Sequence, residues 1–275
     1  MNIKLKLITA AALLISSNYA IATGMPTCSA IAKLDSKPVD KLLTVVIDQT
    51  TLVDQNMINK FKRIAGNAIT DGTEVKVLKF SAFSQGEYFT EVFSASKELP
   101  LTEDERYTIP KKQLSVYDRC LKQQGPALMH KSLQVIETEM KSARADLAKS
   151  DIAYNLSKVA ERVKNHQATT KNVLIFSDMI ENSSITSFYR HGKVRVIDVE
   201  KDIAEFQKNG IQADFSGANL YVMGAGLLSE KGKNRGVYRD PKTLNSLEKF
   251  WSKWFDLSHA KLQGFGMPEL HRGIQ

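Results

Sequence analysis

Leu42-Leu43-Thr44-Val45-Val46-Ile47-Asp48-Gln49-Thr50-Thr51 is the stretch on which the fold turns. Six apolar or β-branched residues in a row, too short for a buried helix, predict a strand covered on both faces, as in a parallel sheet. The run stops at Asp48, and from Asp54 the apolar spacing changes to that of an amphipathic helix: Met57, Ile58, Phe61, Ile64, Ala65 and Ala68. Asp71-Gly72 turns the chain into a second strand, Val75–Phe80, and Glu87–Phe93 reads as its hairpin partner.

Further along, the polar, aperiodic stretch 96–113 reads as an exposed loop. Gly125-Pro126 reads as a helix start, followed by Leu133, Ile136, Met140 and Leu147 on one face. Ser150 reads as the N-cap of another helix carrying Ile152, Leu156, Val159, Ala160 and Val163. Lys171–Ser177 is a second buried strand that ends in an aspartate, Asp178. The segment 185–215 combines a possible strand at Val194–Val199 with a charged helix at Asp202–Lys208. Leu220–Met223 is a further strand, and Asp240-Pro241 opens a helix with an aromatic stripe, Leu244, Leu247, Phe250, Trp251, Trp254 and Phe255. Strands alternating with helices predict a doubly wound α/β fold with a mostly parallel central sheet.

Residues 1–22 have the layout of a secretory signal: Lys4 and Lys6, the apolar run Leu7–Ile15, then Ala20-Ile21-Ala22 as a cleavage site. The run is shorter than the roughly 20 residues that span a bilayer, so the expected protein is periplasmic or secreted, without a membrane span. Residues 23–275 are expected to form one domain with its core at about 42–257. Met25-Pro26-Thr27 before Cys28 does not match a lipid-attachment box. Losing the signal lowers the net charge from +8 to +6, a value that serves solubility. The basic residues are scattered along the chain and no nucleic-acid motif accompanies them, so nucleic acid is not an expected ligand. Cys28 and Cys120, the two cysteines, are expected to form a disulfide in an oxidising compartment.

In open parallel sheets, ligands gather beyond the carboxyl ends of the strands. Asp48 and Asp178 sit at such ends, with the hydroxyls of Thr50 and Thr51 beside the first and Ser150 at a helix start. Carboxylates and hydroxyls are the hard oxygen ligands that suit Mg2+ or Ca2+. Each residue also has a local role open to it: Ser150 as a cap, and the threonines as partners of turn amides.

Asp48-Gln49-Thr50-Thr51-Leu52, Lys149-Ser150-Asp151-Ile152 and Ile175-Phe176-Ser177-Asp178, taken in order, resemble the von Willebrand factor A family. The resemblance extends over about 42–257 and implies a metal-ion-dependent adhesion site. Its ligands would be Asp48, Thr50, Ser150 and Asp178, with one position left for a carboxylate of a protein partner. Leu52 stands where the family carries a second hydroxyl, and Thr51 or Asp54 would have to supply a replacement oxygen.

Catalysis is not expected. A phosphatase of the haloacid dehalogenase type needs an aspartate where Thr50 stands. No nucleophile elbow, zinc helix or phosphate loop is present. The histidines are isolated, and Glu181-Asn182 after Asp178 reads as a solvated loop, with an extension of an acidic pocket as the alternative. The expected function is an exported, adhesion-type binding module; the alternatives are a structural envelope component with a degenerate metal site and a metal-dependent hydrolase.

Overall fold

The protein was described from a computed structural model covering residues 25–81, 89–144, 149–227 and 240–274. The expected signal peptide, the start of the Glu87–Phe93 hairpin arm and Leu147 lie outside these residues. In chain order the elements are α1 (Cys28–Ala32), β1 (Lys41–Asp48), α2 (Gln55–Asn67), β2 (Thr73–Phe80) and β3 (Phe89–Lys97). Next come α3 (Glu103–Thr108), α4 (Lys111–Lys141), α5 (Ile152–Lys164), β4 (Thr170–Phe176), β5 (Tyr189–Arg190) and β6 (Lys193–Val194). The chain finishes with α6 (Val199–Lys208), β7 (Asn219–Met223), α7 (Pro241–Leu257) and β8 (Lys261–Phe265).

The six-stranded sheet has the order β3-β2-β1-β4-β7-β8. All of its pairings are parallel except β2 with β3. The chain therefore builds outward from β1 to one side and then returns to β4 to build the other. This makes the gap between the ends of β1 and β4 the topological switch point.

Because side chains alternate across a strand, the apolar run of β1 feeds two cores. Leu42 and Val46 join the face covered by α5, α6 and α7, with Leu156, Val159, Phe250 and Trp251. Leu43, Val45 and Ile47 join the face covered by α2 and α4, with Phe61, Leu128 and Ile136. The aromatic stripe of α7 is buried, as its spacing predicts, and Trp251 also donates its indole N–H to the carbonyl of Met179 at 2.7 Å.

Several boundaries differ from the sequence reading. The stretch 96–113 is not one loop: it holds the end of β3, helix α3 and the start of α4. α3 begins with a reciprocal capping box between Thr102 and Glu105, a sequence signature that was there to be read. Pro126 does not start a helix but lies inside α4. The upstream turns are held by the packing of Tyr117 and by the Cys28–Cys120 disulfide, which ties α1 to α4. Val194–Val199 is not a strand, since Val194 ends a two-residue hairpin strand and Val199 opens α6 behind the cap Asp198. β8, at the sheet edge, lies beyond the expected core limit near residue 257. Among the described residues no helix is long and apolar enough to cross a membrane.

Candidate functional site

Asp48 is the last residue of β1 and is fully buried. It continues the even-numbered series of β1 toward the α5 side, while Gln49 bonds to Glu139 and Ser142 at the end of α4. Four donors converge on the Asp48 carboxylate. Oδ1 accepts from the Thr50 N–H at 2.8 Å and the Thr50 hydroxyl at 2.6 Å. Oδ2 accepts from the Ser177 hydroxyl at 2.7 Å and the Thr51 hydroxyl at 3.3 Å. A carboxylate this well supplied is a fixed point around which the neighbouring loops are arranged.

The second strand end is tied to the first through the same hydroxyls. The Asp178 N–H donates to Thr51 Oγ1 at 3.0 Å, and the Ser177 hydroxyl also accepts from the Met179 N–H at 3.0 Å. Asp178 Oδ1 accepts from the Ile180 N–H at 2.8 Å. Among the described residues no donor meets Asp178 Oδ2, and the residue is only partly buried. Asp178 is thus the member of the pair that reaches the surface. Met179 follows it with a left-handed backbone (φ 60°), held by the bond from Trp251.

Charge decides the chemistry here. Burial pushes the Asp48 carboxyl above its ordinary range, outweighing the hydrogen bonds that favour its anion. Asp178 is pushed well above its ordinary range, first by burial and then by the charge of Asp48. Tyr189, on β5, is raised by burial and then by the charges of Asp178 and Asp48. Two neighbouring carboxylates that resist ionising together require a proton or a cation between them.

Ser150 is held differently from the expectation. It does not cap α5; that position belongs to Asp151, which has a left-handed backbone (φ 32°) and makes no capping bond. The Ser150 hydroxyl donates to the Ile180 carbonyl at 3.1 Å, and its N–H donates to the Asn182 carbonyl at 3.1 Å. Ser150 is therefore fastened to the loop that carries Asp178.

The first turn of α5 is met instead by Glu181, which accepts from the Ala153 N–H at 2.9 Å. Glu181 is 1% exposed, so the reading of Glu181-Asn182 as a solvated loop is overturned. Burial, aided by Asp151, pushes its carboxyl up to about 7 against the bonds to α5 and Ser183.

Asp54 caps α2 through the Met57 N–H at 2.8 Å, and Leu52 is half-buried. Ser177 was missed as a member of the site, and Glu181 was named beside it only as a second reading of a solvated loop. Ser177 had a usable signal: in the parallel register, Ile47 pairs with Phe176, so the next residues, Asp48 and Ser177, face each other.

The donors suit a hard cation: carboxylate and hydroxyl oxygens at a strand-end switch point, with a like-charged pair in need of neutralising. Among the described residues no group of three or more His, Cys, Asp or Glu is placed to hold a metal, so Glu181 does not join the two aspartates as a ligand. A cation would draw on Asp178 and on the Thr50 hydroxyl, which Asp48 orients, while the Ser150 hydroxyl is turned to the Ile180 carbonyl. A scan against protein-family models finds no match, and a search of curated proteins finds no significant relative. The fold and site together define a doubly wound α/β protein with a carboxylate–hydroxyl cluster at its switch point.

Proposed function

We propose that the chain is an exported binding module that recognises a protein partner through the strand-end face of Asp48, Thr50, Ser150 and Asp178. The observation that carries this reading is the asymmetry of the acid pair at the switch point. Asp48 is locked by four donors, whereas Asp178 presents an oxygen without a donor among the described residues. Mg2+ or Ca2+ bound there would neutralise the pair and supply a directional bond to a carboxylate of the partner. The chain's own part is positional: Thr51 and Ser177 join the two strand ends, and Trp251 holds the loop behind Asp178. The Cys28–Cys120 disulfide supports export to an oxidising compartment, consistent with the signal-like residues 1–22.

A second reading rests on Leu52 and on the fully occupied Asp48 carboxylate: a structural envelope component that keeps the fold and does not use the metal. Capture from envelope extract separates the two. The adhesion reading expects a partner retained in magnesium and lost in chelator or on Asp178→Ala. Retention through both treatments supports the structural component.

A further inference from the structure

The outer face of α4 has no role in the strand-end site. Buried Tyr117, Gln124, Leu128, Ser132, Ile136 and Met140 mark the side packed toward the sheet and α1. On the opposite side Lys112, Ser115, Arg119, Lys122, Pro126 and His130 recur at intervals of three and four residues, all exposed. They form a line of about 27 Å at 1.5 Å per residue. Lys111 and Lys131 are exposed at its margins. The acids of α4 are already engaged: Asp118 by Arg106, Glu137 by Lys62 and Lys141, and Glu139 by Lys79. Among the described residues Lys111, Lys112, Arg119, Lys122 and Lys131 have no ion-pair partner. Folding thus gathers basic residues that look dispersed along the sequence into one stripe.

One further feature points to an anion outside the protein, and a second to an apolar boundary beside it. The first turn of α4 contains Lys111 and Lys112 and no acid, against the preference of the helix dipole, and nearby anions would relieve that conflict. At the same end, on elements joined by the disulfide and the Arg106–Asp118 pair, the chain exposes Tyr107 (95%), Ile31 (48%) and Val116 (37%).

We propose that this face of α4 docks the protein on an anionic phospholipid surface, with Lys112, Arg119 and Lys122 against the lipid phosphates. A straight row of cations, mostly lysine, fits a plane of phosphates, which asks for charge without directional pairing. Exposed apolar groups near the same end of α4, Val116 among them, fit the headgroup boundary. The exposed acids Glu103 and Asp104 belong to α3 and not to this row. The row lies on the α2 side of the sheet and the strand-end cluster faces α5, so one protein can use both at once.

The test is cosedimentation of the full chain with vesicles of phosphatidylcholine alone or with about 30% phosphatidylglycerol, an anionic content that polybasic surfaces detect. Because Leu7–Ile15 is itself apolar, the readout is the difference between vesicle types and between variants. Binding should require phosphatidylglycerol and fall with added salt. Each neutralised cation should lower the partition coefficient about fivefold, so Lys112→Ala, Arg119→Ala and Lys122→Ala together should cost about a hundredfold. An unchanged melting temperature would show that the triple variant is folded. Equal binding to both vesicle types, or wild-type binding by the folded triple variant, overturns the proposal. So does loss of binding to heparin or DNA without any vesicle binding, which would assign the row to soluble polyanions.

Discussion

Ser177 donates to Asp48 from a fully buried position and accepts the Met179 N–H, so its hydroxyl joins the two strand ends. Ser177→Ala leaves both partners short of a bond and should lower unfolding free energy by about 1 to 3 kcal/mol in urea denaturation. Glu181 gives a pH signature. Its carboxyl stands at about 7 in the fold against an ordinary 4.5, so the native state holds more protons than the unfolded chain between those values. Its penalty is absent below about 4.5 and complete above about 7, so stability falls as pH rises through that window, by up to about 3 kcal/mol. Glu181→Gln keeps an acceptor for α5 and should flatten that slope, as melting curves from pH 4.5 to 8 would record. Asp48 and Asp178 are shifted in the same direction, and a bound cation would oppose their share. Both aspartates were legible in the sequence because each ends an apolar run. The burial of Glu181 was not, since its partner is the first turn of a helix 28 residues away in the chain.

At the level of elements, sequence reading worked where a single period governs. β1, β4, β7, α2 and α7 are all found at or within a few residues of their expected limits. It failed where long-range contacts overrule local signals. Gly125-Pro126 looks like a helix start, yet α4 continues through it because its first turns are clamped to α1. Pro126 lacks the N–H for an intrahelical bond, so Pro126→Ala should stabilise the protein by on the order of 1 to 2 kcal/mol in chemical denaturation. The clamp itself spans 92 residues of chain. Replacing both Cys28 and Cys120 by serine should cost about 4 to 5 kcal/mol on the chain-entropy model, with the same loss in wild type under reductant.

For the whole molecule, the order β3-β2-β1-β4-β7-β8 does what no single residue can: it sets the ends of β1 and β4 side by side, with helices converging on them. Alternation of strands and helices predicts that architecture, but not the path of 185–215, which packs Phe188 on Phe250 and Trp251, nor the edge strand β8. Short strands and irregular turns carry little periodicity, and their positions come from packing against α7. The central claim is that the acid pair holds a divalent cation for partner binding. It is tested most directly by thermal melting of wild type and Asp178→Asn, in chelator and in Mg2+, Ca2+ or Mn2+. At a hundredfold excess over its dissociation constant, a bound ion adds about 2.7 kcal/mol, which raises the melting temperature of a domain this size by roughly 5 to 10 °C. The account predicts that rise for wild type and its absence for Asp178→Asn; identical melting of wild type in chelator and in all three metals would contradict it.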